Sequence, residues 1–202
     1  MGIFDIFKKK GKKTDETLPQ KIENVNAKNN EESTINTIDI KKYLSMNNKA
    51  DGFICYLKDN NWKIELNNDY YKSNVLSKRY KSIPKMWNGF ISKYSLIMNE
   101  SETTWFICFK DFDDENAEFK YNEFELISLE SATDNGKEKI KEFWSNNIPI
   151  IMSVKNGYEY YAINIESGKI VYGFEPEFEE SEIVAESFED FITKVISGII
   201  IL

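Results

Sequence analysis

The fold class is decided by the stretch Ile148-Pro-Ile-Ile-Met-Ser-Val-Lys155, Asn156-Gly157, Tyr158-Glu-Tyr-Tyr-Ala-Ile-Asn-Ile165. Two segments rich in β-branched and aromatic residues flank an Asn-Gly pair, which is the strongest short signal for a β-hairpin. Glu166-Ser-Gly-Lys169 predicts a second turn, and Ile170 to Phe174 a third strand. Because these strands carry apolar residues on both faces, we expect the meander to lie centrally under helices.

Elements outside this meander follow from the spacing of apolar residues. Pro84 suits the first turn of a helix, and Trp87, Phe90 and Ile91 continue it on one face. Ser187 is a typical N-cap for the last helix, and the tail Ile199-Ile-Ile-Leu202 is predicted to be the buried end of that helix. Helices are also predicted near Ile38 to Leu44 and over Lys137 to Asn146. Strands are predicted over Gly52 to Lys58 and Trp62 to Leu66, as a hairpin turning at Asp59-Asn60-Asn61, and over Trp105 to Phe109 and Phe124 to Leu129.

These elements predict an α+β domain over residues 38–202, with an antiparallel or mixed sheet of about five to seven strands and helices packed on it. Residues 1–37 differ in composition. They contain the basic run Lys8-Lys-Lys-Gly-Lys-Lys13, followed by a polar stretch without apolar periodicity. This composition is typical of a flexible linker, so we expect a flexible basic N-terminal arm.

The 202-residue chain contains no histidine, and this excludes the commonest general base and zinc ligand. Asp111 to Asn122 has the look of a calcium loop, but Asn116 and Asn122 stand where glycine and glutamate are required. A pair of catalytic carboxylates is not singled out among the many acidic residues. We therefore expect a binding protein and not an enzyme, with no metal site and no cofactor.

Cys55 and Cys108 lie in apolar runs and are expected to be free thiols in a reducing compartment. The chain has no apolar run of about 18 residues and no secretory signal, so a cytoplasmic location is predicted. Membrane contact is expected only through residues 1–13, which contain four apolar residues and a run of lysines. A flexible arm is the preferred interpretation of this segment.

Three segments resemble the SUKH superfamily domain in sequence and order. They are Ile83-Pro-Lys-Met-Trp87-Asn-Gly-Phe90-Ile-Ser-Lys-Tyr94, then Asn156-Gly-Tyr-Glu-Tyr-Tyr-Ala-Ile163 with Gly173-Phe-Glu-Pro-Glu-Phe-Glu-Glu180, and finally Ala185-Glu-Ser-Phe-Glu-Asp-Phe191. The likeness covers roughly residues 80–199 and is weaker from residue 38. The superfamily includes fungal cell-wall-assembly regulators and bacterial immunity proteins of polymorphic toxin systems. The resemblance implies a domain that binds protein partners and carries no catalytic residues.

The formal net charge is −8, and two segments concentrate the acidic residues. Simple solubility is one interpretation of such runs, and complementarity to a basic protein is the other. Phe174 and Phe178 are either apolar anchors for a partner or core residues. The candidate partner-binding residues are Asp111, Asp113, Asp114, Glu115 and Glu118 in the first segment, and Glu175, Glu177, Phe178, Glu179, Glu180 and Glu182 in the second.

The sequence and the resemblance together favour an immunity-type protein that neutralises a cognate toxin by stoichiometric binding. A nuclease toxin is basic where it grips phosphates, so an acidic inhibitor would be steered onto that surface. The same charge argues against nucleic acid as the partner. The alternative is a regulatory or scaffold module, tethered weakly to a membrane surface by the N-terminal arm.

Overall fold

A computed structural model describes residues 37–117 and 119–202, and among these it contains eight helices and seven strands. The helices are α1 (Thr37–Leu44), α2 (Lys49–Asp59), α3 (Asn74–Arg79), α4 (Lys85–Ile91), α5 (Phe109–Asp113), α6 (Glu123–Ser131), α7 (Asp134–Asn146) and α8 (Phe188–Ile196). The strands are β1 (Lys63–Leu66), β2 (Tyr94–Met98), β3 (Thr104–Phe106), β4 (Asn147–Ser153), β5 (Glu159–Asn164), β6 (Ile170–Phe174) and β7 (Glu182–Ala185).

The strands form one sheet in the order β1-β2-β3-β4-β5-β6-β7, and each pairs antiparallel with the next. Short connections join β2 to β3 and run from β4 through β7, while helices are inserted between β1 and β2 and between β3 and β4. The predicted α+β class is confirmed, with seven strands and an antiparallel sheet.

The predicted central meander is confirmed as β4, β5 and β6. All seven residues of β4 are buried, as expected for a strand covered on both faces. Gly157 adopts a φ of +123° in the turn between β4 and β5, a region that favours glycine. The register places Ile151 opposite Tyr161, and Met152 opposite Tyr160.

Helices cover both faces of the sheet. On one face, Phe106 of β3 contacts Phe53 of α2, with ring centroids 6.0 Å apart, and Tyr161 of β5 contacts Phe191 of α8 at 5.2 Å. On the other face, Tyr160 lies 4.9 Å from Trp144 of α7 and 5.9 Å from Phe124 of α6. Tyr160 and Tyr161 are neighbours in one strand, so their side chains enter opposite helical layers.

Four predicted helices are confirmed: α1 covers the segment predicted near Ile38 to Leu44, and the other three lie where the apolar residues recur at helical spacing. Trp87, Phe90 and Ile91 of α4 are buried, and α7 covers the predicted segment 137–146. Ser187 caps α8, because its hydroxyl accepts a hydrogen bond from the Asp190 backbone N–H at 3.1 Å. The Asp190 carboxylate in turn accepts the N–H of Glu186 at 3.0 Å.

The predicted strand over Gly52 to Lys58 is wrong, because this segment belongs to helix α2. Gly52 lets α1 cross α2 closely: a Cβ at this position would lie 2.3 Å from the Tyr43 carbonyl oxygen. Asn60 and Asn61 follow the helix end and are not a hairpin turn. The partner segment, predicted over Trp62 to Leu66, is a strand and pairs with β2.

The predicted strand over Phe124 to Leu129 is also wrong, since residues 123–131 form helix α6. Strand β3 ends at Phe106, and Phe109 begins α5 instead of completing the strand. The C-terminal tail is not the buried end of α8, which stops at Ile196. Ile199 and Ile201 are 71% and 79% exposed.

Both cysteines are free thiols; Cys108 is buried and Cys55 partly buried. Burial is the main cause that raises the pKa of the Cys108 thiol. In the part of the chain that the structure describes, no helix is long and apolar enough to cross a membrane. The predicted basic arm lies outside the described residues, apart from the first residue of α1.

Candidate functional site: an acidic loop beside an aromatic face

Negative charge is concentrated at the β5–β6–β7 end of the sequence. Seven lysines and six acidic residues fall in residues 1–36, which leaves 19 basic and 28 acidic residues for 37–202. Residues 156–190 contain ten acidic residues and a single basic residue, Lys169. Their local charge of −9 therefore equals the net charge of the whole segment 37–202.

The acidic loop, residues 175–182, connects β6 to β7 and is fixed to the core by Phe178. This side chain is 1% exposed and stacks on Phe124 of α6, with ring centroids 4.6 Å apart. The Tyr160 hydroxyl donates a hydrogen bond to the Phe178 carbonyl. Of the two roles left open for Phe178, the structure gives it the core position.

Glu179 provides the second attachment of the acidic loop. Its carboxylate accepts hydrogen bonds from the Trp144 indole N–H at 2.6 Å and from the Ser128 hydroxyl at 3.2 Å. At the start of the loop, the Glu175 backbone N–H donates to the Tyr158 carbonyl at 2.9 Å. These bonds connect the loop to α6, α7 and β5, so its backbone position is set by the core.

Four other carboxylates of the loop point outward. Glu175, Glu177, Glu180 and Glu182 are exposed. None of them joins a salt bridge with any residue in the described ranges. The loop therefore combines a fixed backbone with carboxylates that are accessible to a partner.

The first acidic segment, residues 111–118, has a different structure. Asp111 completes a capping box of α5, where its carboxylate accepts the Cys108 N–H at 2.7 Å. Burial raises the pKa of Asp111 to about 6, and the nearby Asp114 adds to the rise. The Asp111 side chain therefore stabilises the N-terminus of α5.

Asp113 also makes internal contacts. Its carboxylate accepts the Tyr71 hydroxyl at 2.7 Å and the backbone N–H groups of Asn74 and Val75 at 3.0 and 2.8 Å. Burial alone would raise its pKa, but these hydrogen bonds outweigh burial and lower it. Asp113 thereby fixes the N-terminus of α3 to α5.

Asp114 and Glu115 are the exposed carboxylates described in the first segment, and Glu118 lies outside the described residues. Beyond this segment, Phe119 contacts Tyr158 with ring centroids 5.9 Å apart. Tyr158 is also the residue whose carbonyl binds Glu175. Phe119, which follows the first segment, and Glu175, which begins the acidic loop, therefore both contact Tyr158. A partner-binding role for the candidate residues stays a prediction.

Phe174 and Glu182 were candidate contacts from the sequence, but the group of residues to which they belong, beside the acidic loop, was not predicted. Glu159 and Tyr161 of β5, Tyr172 and Phe174 of β6, and Glu182 of β7 share one sheet face, which we call the aromatic face. Glu159 stands opposite Phe174, and Tyr172 lies between Tyr161 and Glu182. Counting outward from the Glu166–Lys169 turn would have revealed this register, because antiparallel partners lie symmetrically about a turn.

A cleft of about 680 Å³ lies elsewhere, between the segment after β1 and helix α4. Leu66, Tyr71, Leu76, Ile83 and Phe109 contribute apolar walls, and Lys72 and Lys93 are the charged residues of its lining in the described chain. No group of three or more metal-binding side chains exists among the described residues. The lining of this cleft contains no carboxylate.

Comparison with protein-family models finds no match to the chain, and comparisons with curated proteins and with solved structures find no significant match. Function is therefore inferred from the geometry of the chain's own residues.

Proposed function

We propose that residues 38–202 form a SUKH-type domain that binds a basic toxin protein stoichiometrically and neutralises it in the cytoplasm. The observation that carries the proposal is the acidic loop. Phe178 and Glu179 attach it to the core, while Glu175, Glu177 and Glu180 project into solvent without salt bridges to described residues.

A fixed loop suits stoichiometric inhibition because binding does not have to order it. Immobilising a flexible side chain on association costs about 0.5–1.5 kcal/mol, and ordering a loop adds to this. The contacts of Phe178 with Phe124 and of Glu179 with Trp144 exist before any partner arrives. More of the interaction energy therefore remains as affinity.

The charge of the surface supports a basic partner. Residues 156–190 carry a net charge of −9, which steers a positively charged protein toward this end of the molecule. Proteins that act on nucleic acids bind phosphates with lysine and arginine side chains. An acidic domain placed on such a surface blocks access to the substrate.

The segments that resemble the SUKH superfamily fall on three helical or strand regions and on the acidic loop itself. They occupy α4, then β5 and β6 with the acidic loop, and finally α8. Phe178 and Phe188, both within these segments, are 1% and 2% exposed. The resemblance thus includes core positions as well as the proposed binding loop.

Co-expression tests the proposal directly. A toxin encoded beside this protein should arrest growth when expressed alone, and growth should return when both proteins are produced. The purified pair should form a complex of fixed stoichiometry. Continued arrest in the presence of soluble, folded protein would refute the immunity function.

Charge reversal tests the surface. Glu177→Lys with Glu180→Lys should slow association with the toxin about tenfold or more and flatten its salt dependence. The matched control is Glu65→Lys with Glu100→Lys, which makes the same charge change at exposed positions near the opposite edge of the sheet. Equal slowing by both double variants would mean that net charge acts, and not this loop.

A further inference from the structure

The aromatic face extends a row of rings out of the core. The row begins at Phe191, which is 0% exposed, and passes to Tyr161, Tyr172 and Phe174. Successive ring centroids are 5.2, 5.1 and 5.9 Å apart. The outermost ring, Phe174, is 55% exposed. A large apolar side chain is thus held in solvent at the end of a packed row.

Two carboxylates border the outer rings. Glu159 is the direct cross-strand partner of Phe174, and Glu182 is the direct partner of Tyr172. Direct partners in an antiparallel sheet have Cβ atoms about 4.5–5.5 Å apart. The Tyr172 hydroxyl donates a hydrogen bond to Glu159, and after burial Glu159 and Glu182 are the groups that raise the pKa of Tyr172.

The two lysines of residues 159–196 are engaged elsewhere. Lys169 pairs with Glu186 at 2.8 Å, and Lys194 pairs with Asp190 at 2.9 Å and donates to the Val184 carbonyl. The cation–π contacts found among the described residues involve Tyr43, Tyr80 and Tyr121, none of which belongs to the aromatic face. Rings and carboxylates therefore stand together without a cation in the described chain.

We propose that the aromatic face binds an arginine side chain of a basic protein partner. This inference rests on the proposed function and gives that surface its specificity. The guanidinium would stack on Phe174 and Tyr172 while its N–H groups donate to Glu159 and Glu182. Such a plane combines stacking with directed hydrogen bonds, whereas a lysine ammonium is a compact point charge.

Two features of the aromatic face favour arginine as the bound side chain, and the loop carboxylates alone have neither. Phe174 adds an apolar contact that a purely electrostatic surface lacks, and its direct pairing with Glu159 of β5 holds its backbone in place. Arginine is enriched at the energetic centres of protein interfaces for the same combination of charge and planarity.

Hexaarginine and hexalysine peptides, which carry equal charge, test this inference with the full chain by isothermal titration calorimetry at low salt. Hexaarginine should bind about three- to fivefold more tightly, as expected for stacking at an exposed site. Phe174→Ala should abolish this preference and leave hexalysine binding unchanged. Tyr70→Ala, which removes an 88% exposed ring outside the face, should preserve it.

Equal affinity for the two peptides, no binding of either, or a preference that survives Phe174→Ala would overturn the inference. The proposed function fails separately, through the co-expression experiment. If both peptides bind equally and Glu177→Lys with Glu180→Lys weakens both, the acidic surface stands while arginine recognition is rejected. If the wild-type protein prefers hexaarginine and Phe174→Ala abolishes this preference, but co-expression does not restore growth, the immunity function alone is rejected.

Discussion

Asp111 and Asp113 lie two positions apart near the same short helix, yet their surroundings shift their pKa values in opposite directions. Burial raises the pKa of Asp111 to about 6. Burial acts in the same direction on Asp113, but hydrogen bonds from Tyr71, Val75 and Asn74 outweigh it and lower the pKa. Each shift links proton binding to folding, with a sign of its own.

Asp113→Asn and Asp111→Asn should therefore change stability with opposite pH dependence. The folded pKa of Asp113 lies below its ordinary value of 3.8, so its stabilising contribution is present above about pH 4 and is lost as the pH falls through the folded pKa. Asp113→Asn should cost about 1–2 kcal/mol at pH 7 and less below pH 4.

The folded pKa of Asp111 lies above its ordinary value, so the folded protein keeps the Asp111 proton to a higher pH than the unfolded chain does. Stability therefore falls as the pH rises from about 4 to about 6. Asp111→Asn keeps an acceptor for the Cys108 N–H without the charge. Its stability relative to the wild type should therefore increase between pH 4 and pH 7. Urea unfolding of both variants across this range checks the pair, and parallel curves would contradict it.

Gly173 is required by the close approach of Tyr160. A Cβ on Gly173 would lie 2.5 Å from the Cε1 and Oη atoms of that ring. Tyr160 is held between Trp144 and Phe124 and cannot move away. We expect Gly173→Ala to lower the free energy of unfolding by about 1–3 kcal/mol in chemical denaturation.

Gly89→Ala is the control for this prediction. Gly89 lies in α4 with nothing within 4 Å of its Cβ position. Its replacement should raise stability by about 0.5–1 kcal/mol through helix propensity. If both variants lose stability equally, the ring contact is not the cause.

At the scale of an element, the position of the acidic loop depends on a hydrogen-bond donor in helix α7. Trp144→Phe removes the indole N–H that binds Glu179 at 2.6 Å and keeps an aromatic ring in the core. Backbone amides of residues 177–181 should then exchange with solvent about tenfold faster or more, because a charge-assisted hydrogen bond contributes about 1.5–3 kcal/mol.

Hydrogen-exchange mass spectrometry measures this effect, with Glu177→Gln as the control in the same loop. Glu177 is exposed, and its side chain makes no hydrogen bond or salt bridge with described residues. Unchanged exchange in Trp144→Phe would show that the hydrogen bond between Trp144 and Glu179 does not hold the loop.

The elements that sequence patterns predicted correctly are those whose signal is local. The Asn156-Gly157 turn with its flanking apolar strands, and the Ser187 cap of α8, need no distant partner. Helix α6 was predicted as a strand because Phe124 and Ser128 also fit an alternating pattern. The buried residues of α6 include Glu125, whose charge is compensated by a hydrogen bond from Arg79, 46 residues upstream.

Helix α2 was missed for a similar reason. Gly52 and the run Phe53-Ile-Cys-Tyr-Leu57 weaken the helical signal, and the packing of α1 against Gly52 supplies what propensity lacks. In the candidate site, the sequence located the acidic loop but could not separate carboxylates bound internally, such as Glu179, from free ones. That distinction depends on donors such as Trp144 that lie far away in the chain.

At the scale of the whole molecule, the sheet has a protected centre and two short edges. Strand β4 is paired on both sides and all its residues are buried, whereas the edge strands β1 and β7 have four residues each. We expect the amides of β4 and β5 to exchange most slowly, with rates approaching those of global unfolding.

Residue-resolved hydrogen exchange under native conditions tests this order. The amides of β1 and β7 should exchange through local opening and respond little to denaturant at low concentration. Edge amides as slow as those of β4 would indicate that the edges are covered by contacts beyond the described chain.

The attachment of the acidic loop has a consequence for how this protein can diverge. Phe178 and Glu179 attach the loop to the core, and both are separate from the four exposed carboxylates. Substitutions at Glu175, Glu177, Glu180 and Glu182 can therefore change the partner without loosening the scaffold. Under pressure to match a changing target, these four positions should accumulate replacements quickly while Phe178 stays fixed. New binding specificities would then evolve at little expense in stability.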